Sequence, residues 1–320
     1  MFAKTFEKFS YTSVGISTVL LLGISYYYTT LDINWSLFES KIINGILIFG
    51  ALMLSNYAID TVTRELTIER SNRNAYHLLL YPLVVMCYPV ESIDMRFIIS
   101  SAAIWAAWRN VRIFFELTNT IKKRKRLFDA SVLLSFSSFI IFENLVIFAY
   151  PLLALITSNI KRDFKHYIII FMTPIIILPS GYVLLTFLSL DSYLFSSYFF
   201  GDQLQMLDEF KFILPASYIP VSIVFVLYII SVIIKFYRTT GLQRRILDFV
   251  GIVFFMLTSY FFAMNQELSG SEFHYLSLIL VYFISQIFVK KIKSSYVNFI
   301  FIVLIASIVT FNRLILQKPQ

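Results

Sequence analysis

The sequence predicts an all-α polytopic membrane protein: one integral helical domain over residues 1–320, with about eleven helical segments, a cytoplasmic N-terminus and a C-terminus outside. Three observations carry this expectation. The chain is 58% hydrophobic with a mean hydropathy of +0.76, well above a soluble domain. Several apolar runs approach the ~20 residues that cross a ~30 Å hydrocarbon core. The loops between the runs alternate in charge. Lys4 and Lys8; Arg64, Arg70 and Arg73; Lys122 to Arg126; Lys161, Arg162 and Lys165; Lys235, Arg238, Arg244 and Arg245; and Lys290, Lys291 and Lys293 together hold 20 of the 27 Lys and Arg. The intervening loops keep only Lys41, Arg96, Lys211, Arg313 and Lys318, yet carry most of the acids. Positive charge is retained in the cytoplasm, so the alternation sets the orientation.

Taken in order, the expected segments are 11–29, 43–60, 74–90, 97–116, 129–142, 145–159, 167–189, 213–235, 247–264, 274–289 and 295–312. The first follows Lys4 and Lys8 and ends in Tyr26, Tyr27 and Tyr28, an interfacial aromatic group. No small-residue cleavage site follows it, so it is expected to be a retained helix. The fifth and sixth are separated only by Glu143 and Asn144, and both their outer ends meet basic loops. Fourteen residues reach about 21 Å, short of a crossing, so 129–159 reads as a short hairpin with Glu143 at its tip. A full crossing of a thinned bilayer is the competing reading. The longest outer loop, 190–212, is too short to bury a core of its own. With nine glycines and no visible small-residue seam, helix contacts are expected to rest on bulky Phe, Leu and Ile.

A net charge of +8 raises nucleic acid as a partner, but the surplus lies on one side of the expected membrane, so no nucleic acid is expected. The single cysteine excludes a disulfide framework. His77, His166 and His274 have no ligand neighbours at local spacing; neither a metal nor another cofactor is expected, and the latter two fit interfacial positions at segment starts.

Four groups of residues could carry chemistry. Glu143 is a carboxyl near hydrocarbon, where an ionisable group costs about 2.5–3.5 kcal/mol to insert and is a functional candidate by default. Asn144 and nearby backbone could instead satisfy it. Trp105, Trp108, Arg109, Arg112 and Glu116 share a helical face. Arg112 and Glu116 fit a snorkelling pair, while Arg109 could clamp a phosphate or pair with an acid on a neighbouring helix. Arg64 and Arg70 lie in the mixed-charge stretch 63–74, either a solvated turn or a headgroup contact. On the outer side, Asp32 follows the first helix, where a transferase would need a carboxylate base.

The stretch LTIERSNRNAYHLLLYPLVVMCYP, the basic run, and KRLFDASVLLSFSSFIIFENLVIFAYPLLALI resemble an uncharacterised multi-pass inner-membrane family of Bacteroidetes-type bacteria. That resemblance implies a bacterial inner-membrane location and no site residues. More loosely, the layout is similar to C-type membrane glycosyltransferases and oligosaccharide-repeat polymerases, which set a short hairpin beside a lipid-donor cavity. This second resemblance implies that Glu143 borders the cavity and Asp32 matches the first outer-loop acid. The first outer loop is short, and no large acceptor-binding domain follows it. The functional expectation is therefore envelope biogenesis: a transferase-like bundle handling a polyprenyl-linked glycan, with membrane lipid as its surroundings. The alternative is a non-catalytic membrane subunit whose partners are proteins of a secretion, motility or envelope-assembly complex.

Overall fold

A computed structural model describes residues 2–36, 38–63, 74–90, 92–157, 163–187, 218–238, 270–288 and 294–316. Their secondary structure is almost entirely helical. Eleven α-helices are described: α1 (Phe2–Phe6), α2 (Tyr11–Thr30), α3 (Lys41–Thr63), α4 (Tyr76–Met86), α5 (Met95–Glu116), α6 (Thr120–Ile140), α7 (Ala149–Thr157), α8 (Phe164–Phe187), α9 (Ile219–Arg238), α10 (Ser277–Phe288) and α11 (Ser294–Leu316). Two of them, α3 and the Phe164–Leu184 part of α8, are long and apolar enough to cross a membrane. The expected segment 247–264, like Arg64 and Arg70, lies outside the described residues.

The all-α expectation needs one amendment. Asp32–Trp35 (β1) and Ser92–Asp94 (β2) form a two-stranded parallel sheet, with Asp32 opposite Ser92 and Ile33 opposite Ile93. Two short loops at one end of the bundle satisfy each other's backbone groups in this way.

The basic run 122–126 also departs from expectation, being helix rather than loop. The Asn119 carboxamide accepts from the Ile121 and Lys122 amides at 2.9 and 3.2 Å, which starts α6 a full two turns before the apolar stretch. The charged residues then ride on the helix's first turns. At the far end, Ile141 is extended (φ −131°, ψ 112°) and a 3-10 segment, Phe142–Phe148, leads into α7.

Helix α4 is the centre of the bundle. All of Tyr76 to Val85 is buried, and α1, α2, α3, α10 and α11 pack around it. Its Pro82 removes one intrahelical donor, tolerable in a helix this short and this well surrounded. On the other side α5 lies between α3 and α6, and α6 packs on α8. The buried face of α6 is Ala130, Ser131, Leu134, Ser135 and Ser138, and that of α5 includes Ser100, Ala103 and Ala107. Small residues are thus buried on both helices beside bulky ones such as Trp105, Phe114 and Leu134. The serines hide their hydroxyls on carbonyls one turn back, as Ser131 does on Leu127 at 3.0 Å and Ser135 on Ser131 at 2.9 Å.

Two opposite ends result. One gathers basic stretches: the Ala75 amide donates to the Phe6 carbonyl at 2.8 Å, Arg126 donates to Asn110 at 3.1 Å, and Arg124 pairs with Asp163 at 2.7 Å. The other gathers the acid-bearing loops 31–35, 88–94 and 270–276.

Candidate functional site

The acid-bearing end is built on three joined loops. Asp94 caps α5, accepting from the Arg96 amide at 2.9 Å, and the Arg96 side chain returns to grip the same carboxylate from Nε (3.0 Å) and Nη2 (2.6 Å). The Asp94 amide donates to Ser271 Oγ at 3.1 Å, and that hydroxyl donates to the Ser92 carbonyl at 3.2 Å. Gly270 closes the approach with φ +83°; a Cβ there would strike the Pro89 carbonyl oxygen and lie 2.7 Å from Val90 Cα. Ser92 is also the register partner of Asp32, so the β1 backbone that carries Asp32 sits beside this junction.

Below the junction lies a buried polar core. Residues Ser271–Leu276 form a 3-10 segment, in which positions three apart stand over one another, so Glu272 and Tyr275 share a face. The Tyr275 hydroxyl is 2.6 Å from Ser100 Oγ and accepts from the Asn144 amide at 2.9 Å. Asn144 also donates to Ser137 Oγ at 2.7 Å and lies 3.1 Å from the Ser137 carbonyl, which accepts from the Ile141 amide at 3.0 Å as well. One carboxamide thus fastens the hairpin tip to its own first arm and to the 271–276 segment. Glu143 is 3% exposed and Glu272 is 2% exposed. Two carboxyls withdrawn from solvent in one region are the chemically unusual feature of this end.

Beside this lies an aromatic layer. His274 is buried, its Nε2 3.2 Å from the Tyr28 hydroxyl, with Tyr88 edge-on at 5.5 Å and its carbonyl accepting from Trp105 Nε1 at 3.2 Å. Tyr88 donates to Ser277 at 3.0 Å. The interfacial expectation for His274 is therefore corrected: it is a core residue. His166 is buried too, edge-on to Phe114 at 5.1 Å. His77 pairs with Asp60 at 3.1 Å. Among the described residues no cluster of three His, Cys, Asp or Glu could hold a metal ion.

The sequence-predicted candidates are thus distributed over both ends. Glu143 is in the polar core and Asp32 is on β1 near it. Arg109 lies toward the basic end, where Nε donates to Thr61 at 3.1 Å and Nη2 to Tyr57 at 2.8 Å. It pairs with no acid among the described residues, contrary to one expectation. The Arg112–Glu116 pair forms at 3.2 Å. Sequence reasoning missed Glu272, Tyr275 and Ser100. Their signal was available in SEFHYL, where an acid, a histidine and a tyrosine crowd the start of an apolar run, but outer-loop acids are also what topology leaves outside. Comparison with family models, curated proteins and solved structures found no match to the chain.

Proposed function

We propose that this chain is a multi-pass protein of a bacterial inner membrane, of the Bacteroidetes-type family its sequence resembles, and that its acid-bearing outer end handles a polyprenyl-linked glycan in envelope biogenesis. The observation that carries this reading is the hydrogen bond from Asn144 to Tyr275, which joins the segment holding the buried Glu143 to the segment holding the buried Glu272. Carboxyls kept in such a place cost stability, and membrane proteins keep them where chemistry uses them. Orientation is supported by the way basic stretches join basic stretches at one end while acid-bearing loops join at the other.

In a transfer of this class an acceptor hydroxyl attacks the anomeric carbon, the bond from that carbon to the lipid phosphate breaks, and the hydroxyl proton passes to a carboxylate. Asp32 would take the proton, and Glu143 would border the donor. A base in that role typically contributes 10²–10⁴-fold. A second reading is favoured by the near-complete burial of Glu143 and its packed hairpin: a non-catalytic subunit whose polar core holds its shape for partner proteins.

Complementation of a deletion strain separates the two. The transferase reading expects Asp32→Asn to abolish complementation at unchanged protein level. Full complementation by Asp32→Asn, with the extracted protein migrating in a large assembly, would overturn it. In the same strain, single cysteines replacing Ser40 and Lys125 in a Cys87→Ala background report orientation. An impermeant thiol reagent should label the first and spare the second.

A further inference from the structure

The flank of α3 that faces away from the bundle carries a feature the outer site does not use. Ile46, Gly50, Leu54 and Tyr57 recur at intervals of three and four and are all exposed, so they form one stripe along the helix. At Gly50 an added Cβ would meet nothing within 4 Å, which leaves an open notch in the stripe. The stripe ends at Tyr57, 52% exposed, whose ring has the Arg109 guanidinium 4.4 Å from its centroid.

A guanidinium carries five N–H donors. Arg109 uses two, on its Nε and Nη2 edge, for Thr61 and Tyr57. The donors at the Nη1–Nη2 end remain, and that end is a fork shaped for two oxygens of a phosphate or carboxylate. No described acid forms an ion pair with Arg109; Asp60, beside Thr61 in sequence, is engaged by His77. Arg109 is seven residues from the end of α5, about 10 Å along the axis and within snorkelling reach of headgroups. From Tyr57 back to Ile46 is eleven residues, about 16 Å, which matches half of a ~30 Å hydrocarbon core.

We infer that Arg109, held in place by Tyr57 and Thr61, binds the phosphate of an anionic glycerophospholipid in the cytoplasmic leaflet, with an acyl chain along Leu54, Gly50 and Ile46. This rests on the membrane orientation proposed above and is independent of any glycan chemistry. Tyr57 and Thr61 hold the guanidinium in place before the lipid arrives, so little side-chain freedom is lost on binding. The stripe supplies apolar contact, and the fork supplies the selection for phosphate.

The test uses the full chain in detergent, given equimolar phosphatidylglycerol and diacylglycerol of the same acyl chains, with bound lipid read by native mass spectrometry. Wild type should retain one phosphatidylglycerol in preference to diacylglycerol. Arg109→Gln should lower that retention about tenfold or more, the factor carried by loss of a charge-assisted pair. Arg109→Lys should fall between, since a point charge lacks the fork. Gly50→Leu fills the notch away from the arginine and should also weaken retention, which keeps the test decisive if Arg109→Gln fails to fold. Equal retention of the two lipids, or phosphatidylglycerol retention unchanged in both variants, overturns the inference. So does displacement of the lipid by excess inorganic phosphate with Gly50→Leu silent, which would assign the fork to a free anion. Arg109→Gln should leave the outer-end complementation assay to Asp32 and Glu143, so failure here is distinct from failure there.

Discussion

Two groups of polar contacts, one at each end of this bundle, hold by different means. At the acid-bearing end, Ser100, Tyr275, Asn144 and Ser137 are buried and joined by hydrogen bonds between uncharged groups. At the basic end, Arg124 meets Asp163 and Arg126 approaches Asp129, with side chains about a third exposed. The first kind of contact is strengthened by a low dielectric and is costly to leave half made. The second is screened by water and salt and contributes little. The Tyr275 network at the acid-bearing end is therefore fixed by geometry, and the arginine pairs at the basic end by electrostatic tendency.

The sharpest way to break that contrast is at Gly270. Alanine there must adopt a left-handed backbone and overlap the Pro89 carbonyl oxygen. Backbone strain and overpacking together amount to roughly 2–4 kcal/mol. Gly270→Ala should therefore give a large fall in melting temperature and in monodisperse yield. Gly50→Ala, in open space, should give almost none. Equal melting temperatures for the two would mean that the 270–276 loop does not pin the acid-bearing end.

Next in size is Tyr275→Phe. Removing one hydroxyl takes a partner from Ser100 and from Asn144 while leaving the ring. A buried group deprived of its partner costs about 1–3 kcal/mol. The network reading adds a condition: Ser100→Ala should cost less in the Tyr275→Phe background than alone, because the shared bond is already lost. Strictly additive melting shifts would show that the two residues act separately.

Most of the helix positions were legible in the sequence because apolar runs and their charged flanks report where chain meets water. Residues 76–86, 95–116 and 164–187 fall close to the expected segments. The Arg112–Glu116 pair was legible through its spacing. What stayed hidden depends on contacts between distant residues. Nothing local to Asp32 or Ser92 announces a parallel sheet, since neither DINW nor SID is long enough to show a strand period. Asn119 outweighed a basic run that reads as loop, because a cap acts on backbone donors whatever charges follow. His274 read as interfacial since burial of a polar residue is visible only once Tyr28 and Tyr88 have been brought to it. The serines of α6 looked like polar interruptions, yet their hydroxyls turn back onto the helix and leave a narrow packing face.

The smallest effect is expected at Asp163, and its value lies in its pH dependence. Its carboxylate caps α8 by accepting from the Lys165 amide at 3.0 Å and takes a bond from Arg124 Nη2 at 2.7 Å. The Arg124 bond, then the Lys165 amide, hold this carboxyl below its ordinary range. A depressed carboxyl contributes stability that is present above its unfolded pKa, about 4, and is lost as pH falls through the lower folded value. Asp163→Asn keeps a side-chain oxygen for the cap but gives up the charge facing Arg124. The variant should therefore melt slightly below wild type at neutral pH, and the gap should close as pH falls below about 4, where the wild-type carboxyl takes up its proton. Added salt at neutral pH should narrow the same gap, because the pair is partly exposed. A gap that persists unchanged in acid and in salt would mean that Asp163 works through cap geometry alone. The basic end would then be fixed in the same way as the Tyr275 network, and the contrast between them would fail.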